Sequence, residues 1–132
     1  MLLHSQKTIV RVYMISGYDL ASRDIGGFSD PYLILTVRDK TYSERDNYVL
    51  DEPTPDFYKH YDFEQIFPGC PQLTIHAMDY DDLFGDDLIG ITHVDLKDRY
   101  FLPELRAINN KPIEYSQIFH SSSGVSQAVL KM

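Results

Sequence analysis

Gln72-Leu73-Thr74-Ile75-His76-Ala77-Met78, then Asp79-Tyr80-Asp81-Asp82-Leu83-Phe84-Gly85-Asp86-Asp87, then Leu88-Ile89-Gly90-Ile91-Thr92-His93-Val94, reads as two strands around an acidic loop. The rest of the chain repeats the pattern. Upstream, Thr8-Ile9-Val10-Arg11-Val12-Tyr13-Met14-Ile15 alternates around β-branched and aromatic residues, as a half-buried strand does. A long polar loop from Gly17 to Asp30 leads into Pro31–Val37, where proline at the first strand residue sacrifices no ladder donor. Residues 40–49 predict a polar, edge-like strand, and Phe57–Phe63 alternates again after the breaker Asp51-Glu52-Pro53-Thr54-Pro55-Asp56. Downstream, residues 97–112 read as irregular, with a helical turn near Pro103–Arg106. Strands are predicted at Ile113–Phe119 and Val125–Lys131 around Ser121-Ser122-Ser123-Gly124. Eight short strands without an amphipathic helix predict an all-β, antiparallel eight-stranded β-sandwich.

The length, 132 residues, fits one domain with a real core. Ten tyrosines and seven phenylalanines without a tryptophan favour strands, where aromatics pack on a pleated surface. No apolar run approaches the roughly 20 residues of a membrane span, and Met1–Lys7 is too short and polar for a signal peptide. The single Cys70 rules out an internal disulfide and suits a reducing compartment. A net charge of −8 argues against nucleic acid, whose phosphates need a basic patch. Taken over the whole chain, it also argues against an anionic membrane.

Two loops concentrate the acid. One holds Asp24 and Asp30; the other holds Asp79, Asp81, Asp82, Asp86 and Asp87. Strand alternation lets Asp79 and Asp81 point to one side, and Asp87 can face them across the loop. Such a cluster is either solvated surface or a nest that requires a cation. Calcium takes six to eight oxygen ligands and tolerates flexible carboxylates, magnesium is stricter, and zinc or copper would want the histidines or thiols these loops lack. An EF-hand is excluded: counting from Asp79, Phe84 stands where that loop needs glycine and Gly90 where it needs glutamate.

Asp24, four residues, then Ser29-Asp30-Pro31-Tyr32 resembles the first calcium loop of C2 domains. Thr54-Pro55-Asp56-Phe57 resembles the second-loop signature, with threonine for asparagine. Asp79-x-Asp81, five residues, then Asp87-Leu88-Ile89-Gly90 resembles the third loop. Residues 8–132 are covered, so the whole of 1–132 reads as a single C2 domain. Asn47-Tyr48, Phe67-Pro68 and Val94-Asp95-Leu96-Lys97-Asp98-Arg99-Tyr100-Phe101 are similar to ferlins, multi-C2 proteins with a C-terminal membrane anchor. The resemblance implies an excised piece of a far larger, tail-anchored protein on the cytoplasmic face of membranes. It also implies type II topology, since the first strand runs directly into the first loop and a strand follows at the end.

Carried over position by position, the ligand side chains are Asp24, Asp30, Asp79, Asp81 and Asp87, with backbone carbonyls from Arg23, Tyr80 and Gly85. Five carboxylates imply two calcium ions; Phe84 stands where some relatives place a ligand for a third. Asp82 and Asp86 match no ligand position and read as added local charge, with a water-mediated contact to an ion as the alternative for Asp86. The implied function is calcium-dependent docking on phosphatidylserine-like anionic phospholipid, in membrane fusion or vesicle exocytosis, with fusion machinery as possible protein partners. The apolar contacts would be Ile25, Phe28, Leu83 and Phe84, of which Phe28 is best placed to fold back on its own loop. Lys40–Val49 carries two basic against two acidic residues, a weak basis for phosphoinositide selectivity. The alternative is a calcium-insensitive C2 domain that contacts proteins. An enzyme lacks support: no nucleophile stands out, and the histidines (4, 60, 76, 93, 120) are scattered.

Overall fold

Alternating apolar residues draw out eight strands, and the computed structural model describes residues 6–18, 20–21, 27–67, 71–96, 116–121 and 127–131. The strands are β1 (Gln6–Tyr18), β2 (Pro31–Val37), β3 (Lys40–Ser43), β4 (Asp56–Phe67), β5 (Gln72–Asp79), β6 (Asp87–Asp95), β7 (Ser116–Ser121) and β8 (Gln127–Lys131). β2 begins at Pro31 and ends at Val37, the bounds its sequence predicts. β3 is shorter than predicted: it stops at Ser43, and Arg45–Asn47 turns as a single 3-10 turn. The predicted helical turn at 103–106 lies outside the described residues.

All described pairings are antiparallel, in the order β3-β2-β5-β6-β7-β8-β1-β4. The last strand lies beside the first, as type II topology requires. Among the described residues only Gly90↔Ser121 and Ile91↔His120 join β6 to β7, so two four-stranded halves meet at a narrow corner. The ends of the order also meet. Tyr42 of β3 sets its ring edge-on to Phe63 of β4, with centroids 5.2 Å apart, and its hydroxyl donates to the Asp62 carbonyl at 2.8 Å. Contact between the first and last strands closes the sheet, and the narrow junction of β6 with β7 makes the closed form a two-layered sandwich.

The core lies between the halves: Val12, Met14, Tyr61 and Phe63 from one, with Leu33, Leu35, Val37, Leu73, Ile75, Ala77, Ile89 and Val94 from the other. Fully burying each large apolar side chain contributes about 1.5–3 kcal/mol before entropy is counted. Outward-facing residues alternate with these, which leaves Ile9, Tyr13 and Ile66 on the surface of β1 and β4.

Two irregularities shape the loop end. β4 bulges at Phe57–Tyr58, where its two residues stand opposite Ile15 of β1, just before β1 enters the first loop. β6 bulges at Ile89, so that Ala77 pairs with Gly90 but Met78 pairs with Leu88. A bulge places two residues opposite one and re-aims the side chains of the adjoining strand end.

Glu44 fastens the open ends of the sandwich. Its carboxylate accepts from Lys59 Nζ at 2.9 Å, Tyr61 Oη at 3.1 Å and Asn47 Nδ2 at 2.8 Å. Burial pushes this carboxyl up, but the bonds from Lys59, Asn47 and Tyr61 outweigh it and hold the group below the usual glutamate range. A depressed carboxyl stabilises the fold fully above its unfolded pKa, about 4.3, and loses that contribution as pH falls from there through its folded value. Glu44→Gln therefore lowers stability by about 1 kcal/mol at pH 7, with the gap closing below about pH 4. Urea unfolding of both proteins across that range checks this.

Candidate functional site

The bulge at Ile89 decides where the acidic residues stand. Without it, Asp79 would pair with Leu88; with it, Asp79 at the end of β5 faces Asp87 at the start of β6. On the other side of β5, Asp79 pairs with Pro31, so Asp30 lies immediately beyond. Asp30, Asp79 and Asp87 thus stand at adjacent ends of β2, β5 and β6. Like charges placed directly opposite on paired strands repel, and Asp79 is buried, only 2% exposed.

Backbone amides meet these carboxylates. The Asp30 amide donates to Asp79 Oδ1 at 2.8 Å, and the Asp51 amide donates to Asp30 Oδ1 at 2.6 Å. Asp81 Oδ1 accepts from the amides of Leu83 at 2.8 Å and Phe84 at 3.3 Å, which closes the tip of the third loop (80–86). Gly85 follows at φ +86°, a left-handed conformation that glycine adopts without strain. Tyr80 is fixed by its amide bond to the Asp30 carbonyl at 3.0 Å.

The convergence of Asp79 and Asp81 predicted from alternation is therefore incomplete. Asp81 turns toward its own loop, and among the described residues no group of three His, Cys, Asp or Glu side chains is arranged to hold a metal ion. The donor set nonetheless suits a hard cation: it is all oxygen, and a carboxylate that accepts one amide keeps lone pairs for more. Arg23, Asp24 and Ile25 lie outside the described residues.

Asp86 is the main correction. It is not free charge on an acidic surface but the partly buried centre of a clamp. Arg45 grips it through both oxygens, Nε at 2.7 Å and Nη2 at 3.2 Å, while the Tyr32 hydroxyl and the Asp81 amide donate as well. Burial pushes the Asp86 carboxyl up, and the bonds from Arg45, Asp81 and Tyr32 more than offset it, holding the group at about 2. Burial, with Asp86 beside it, pushes the Tyr32 phenol up to about 12. The Arg45 guanidinium also lies 4.6 Å from the centroid of the Tyr80 ring, which stacks on Tyr48 at 4.0 Å. Asp82 remains an exposed charge in the turn.

The second loop (44–55) is thus the brace that sequence reasoning missed. Arg45 and Tyr48 hold it to the third loop. Asp51, at φ +54°, holds it to the first loop through the Asp30 carboxylate and by accepting the Phe28 amide at 3.2 Å. No local signal marked these roles. Arg45 lies in the stretch weighed for phosphoinositide contact, and its engagement with Asp86 and Tyr80 leaves that stretch weaker still.

The tips are apolar and open. Leu83 is 79% and Phe84 90% exposed; Phe28, expected at the rim though best placed of the four to fold back, is 60% exposed. No helix of the described residues is long and apolar enough to cross a membrane.

Removing Arg45 would strand a largely buried carboxylate. Arg45→Ala lowers stability, by less than for a fully buried pair because the arginine is half exposed. Arg45→Lys recovers only part, since an ammonium offers neither the fork nor the ring contact. Denaturant unfolding in calcium-free buffer measures both.

A family model described as C2 domain matches residues 8–113. Myoferlin of Xenopus tropicalis is 36% identical over 96 residues, 73% of this chain, and Fer-1-like protein 4 of Mus musculus is 33% identical over 95 residues, 72% of this chain. The chain spans 5% of the length of each of these curated relatives. Among solved structures, the tandem C2 domains of extended-synaptotagmin 2 match with a TM-score of 0.75 at 20% identity, covering 99% of this chain and 42% of that one. The calcium-bound form of that protein matches with a TM-score of 0.74 at 20% identity, covering 93% of this chain and 43% of that one.

Proposed function

Because this chain belongs to the C2 domain family, we propose that it docks on anionic, phosphatidylserine-like phospholipid in a calcium-dependent way. In this reading it is one module of a ferlin-like protein that acts in membrane fusion or vesicle exocytosis. That parent is tail-anchored, its C2 domains face the cytoplasm, and fusion machinery is among its protein partners. The observation that carries the proposal is the row of Asp30, Asp79 and Asp87 at three adjacent strand ends, beneath an exposed rim of Phe28, Leu83 and Phe84.

The residues that would hold calcium are Asp24, Asp30, Asp79, Asp81 and Asp87, with carbonyls of Arg23, Tyr80 and Gly85. Five carboxylates suit two ions. When bound, calcium supplies positive charge and open coordination positions for lipid phosphate or carboxylate oxygens. The chain's own contribution is positional. The β5–β6 register presents Asp79 and Asp87, the Asp51 amide orients Asp30, and the Arg45–Asp86 clamp steadies the loop that carries Asp81.

Charge explains why docking waits for the ion. Asp24, Asp30, Asp79, Asp81, Asp82, Asp86 and Asp87 stand against Arg23 and the Asp86-bound Arg45, roughly −5, and two calcium ions bring roughly +4. The remaining acidic body acts weakly beyond a Debye length of about 8 Å. Leu83, Phe84 and Phe28 add about 1.5–3 kcal/mol for each side chain fully buried in the bilayer, which gives reversible attachment. Linked modules in a longer protein would strengthen it through effective concentration.

Co-sedimentation with vesicles of phosphatidylserine and phosphatidylcholine tests the reading. The chain pellets with calcium and stays in solution with chelator. Asp79→Asn combined with Asp81→Asn abolishes pelleting, and Leu83→Ala combined with Phe84→Ala weakens it at least about tenfold. Pelleting that ignores calcium and survives the aspartate substitutions would point instead to a calcium-insensitive C2 domain.

A further inference from the structure

We infer that the second loop is a third membrane-contacting element, with Leu50 as the side chain that enters the bilayer beside Phe28, Leu83 and Phe84. The inference rests on the membrane-docking reading above and extends it to a loop whose sequence, between polar Asn47 and the breaker at 51–56, offered no apolar tip by pattern. Leu50 is 71% exposed, comparable to Leu83. One open leucine alone would mean little; its weight comes from standing in a turn bonded to the loops that carry the other open apolar tips.

The turn's geometry keeps Leu50 outside. The Val49 amide donates to the Pro31 carbonyl at 2.9 Å, and the Glu52 amide donates to the Ser29 carbonyl at 3.0 Å. Leu50 and Asp51 form the two-residue bend between these anchors. Asp51 takes a left-handed conformation there, its amide on Asp30 and its carboxylate on the Phe28 amide. Two residues earlier, Tyr48 stacks on Tyr80 of the third loop. Leu50 is therefore tied on one side to the loop that presents Phe28 and on the other to the loop that presents Leu83 and Phe84. These bonds fix the backbone on both sides of Leu50.

The occupant that fits is a phospholipid bilayer. Three loops bonded to one another carry open apolar side chains beside a carboxylate cluster, and Asp51, next to Leu50, bonds the Phe28 amide itself. Asp51 beside it would repel an anionic headgroup layer unless a cation intervened, so its entry, like that of the other tips, follows calcium.

The chain contains no tryptophan, so single introduced tryptophans report cleanly. Leu50→Trp, Phe84→Trp and Ile9→Trp would each be mixed with phosphatidylserine vesicles containing brominated lipid, with calcium and with chelator. Ile9 is the outside reference: it is 61% exposed, but lies on β1 nine residues before the strand reaches the loop end, about 30 Å away. The expected result is calcium-dependent quenching of Leu50→Trp and Phe84→Trp, and none of Ile9→Trp. Alongside, Leu50→Ala weakens vesicle binding about five- to tenfold. Quenching of Phe84→Trp without Leu50→Trp overturns the inference and leaves docking by the first and third loops intact. Absence of quenching at both positions overturns the docking reading, and this inference with it.

Discussion

The one-residue shift between β5 and β6 at Ile89 governs the loop end of this domain. Through it, Asp79 faces Asp87 instead of Leu88, and the β2–β5 register then brings Asp30 alongside. The arrangement is unfavourable on its own terms, since it stacks like charges across paired strands and buries one of them. The surrounding structure answers with donors: amides of Asp30 and Asp51 on two of the carboxylates, and a bidentate arginine on a neighbour. A fold that maintains such a register against its own electrostatics has a place where a hard cation would relieve it.

The second loop makes this tolerable. It contributes no expected ligand, yet it reaches both acidic loops: Arg45 and Tyr48 grip the third, and Asp51 grips the first. Because Asp86 is neutralised by Arg45, the repulsion that matters is confined to the residues at the strand ends. The net charge of −8 consequently says little about where the chain can approach a membrane. Local charge at the tip decides that, and the same tip carries the apolar side chains that gain most from leaving water.

Much of the fold was legible because alternation is a local signal. β2 was read to the residue, and β5 and β6 nearly so, since apolar and polar positions switch cleanly where one face is buried. β3 was overestimated: Ser43 and Glu44 are polar, and nothing nearby in sequence says that Glu44 would turn back to meet Lys59 and Tyr61. The first- and third-loop carboxylates were visible as spacing. The bulge that aligns Asp79 with Asp87 was not, because Leu88-Ile89-Gly90 reads equally well in either register. Asp86 was misjudged for the same reason: Tyr32 and Arg45 lie 54 and 41 residues away. Pairing over such distances is a property of topology, and no short window of sequence contains it.

The central claim is that the aspartates at these strand ends bind calcium and that lipid completes the coordination. Calorimetric titration of the chain with calcium, repeated in the presence of phosphatidylserine vesicles, tests it most directly. The account predicts binding on the order of 10⁻⁶ to 10⁻⁴ M without lipid, tightening when vesicles are present. Absence of heat at millimolar calcium in both conditions would contradict it.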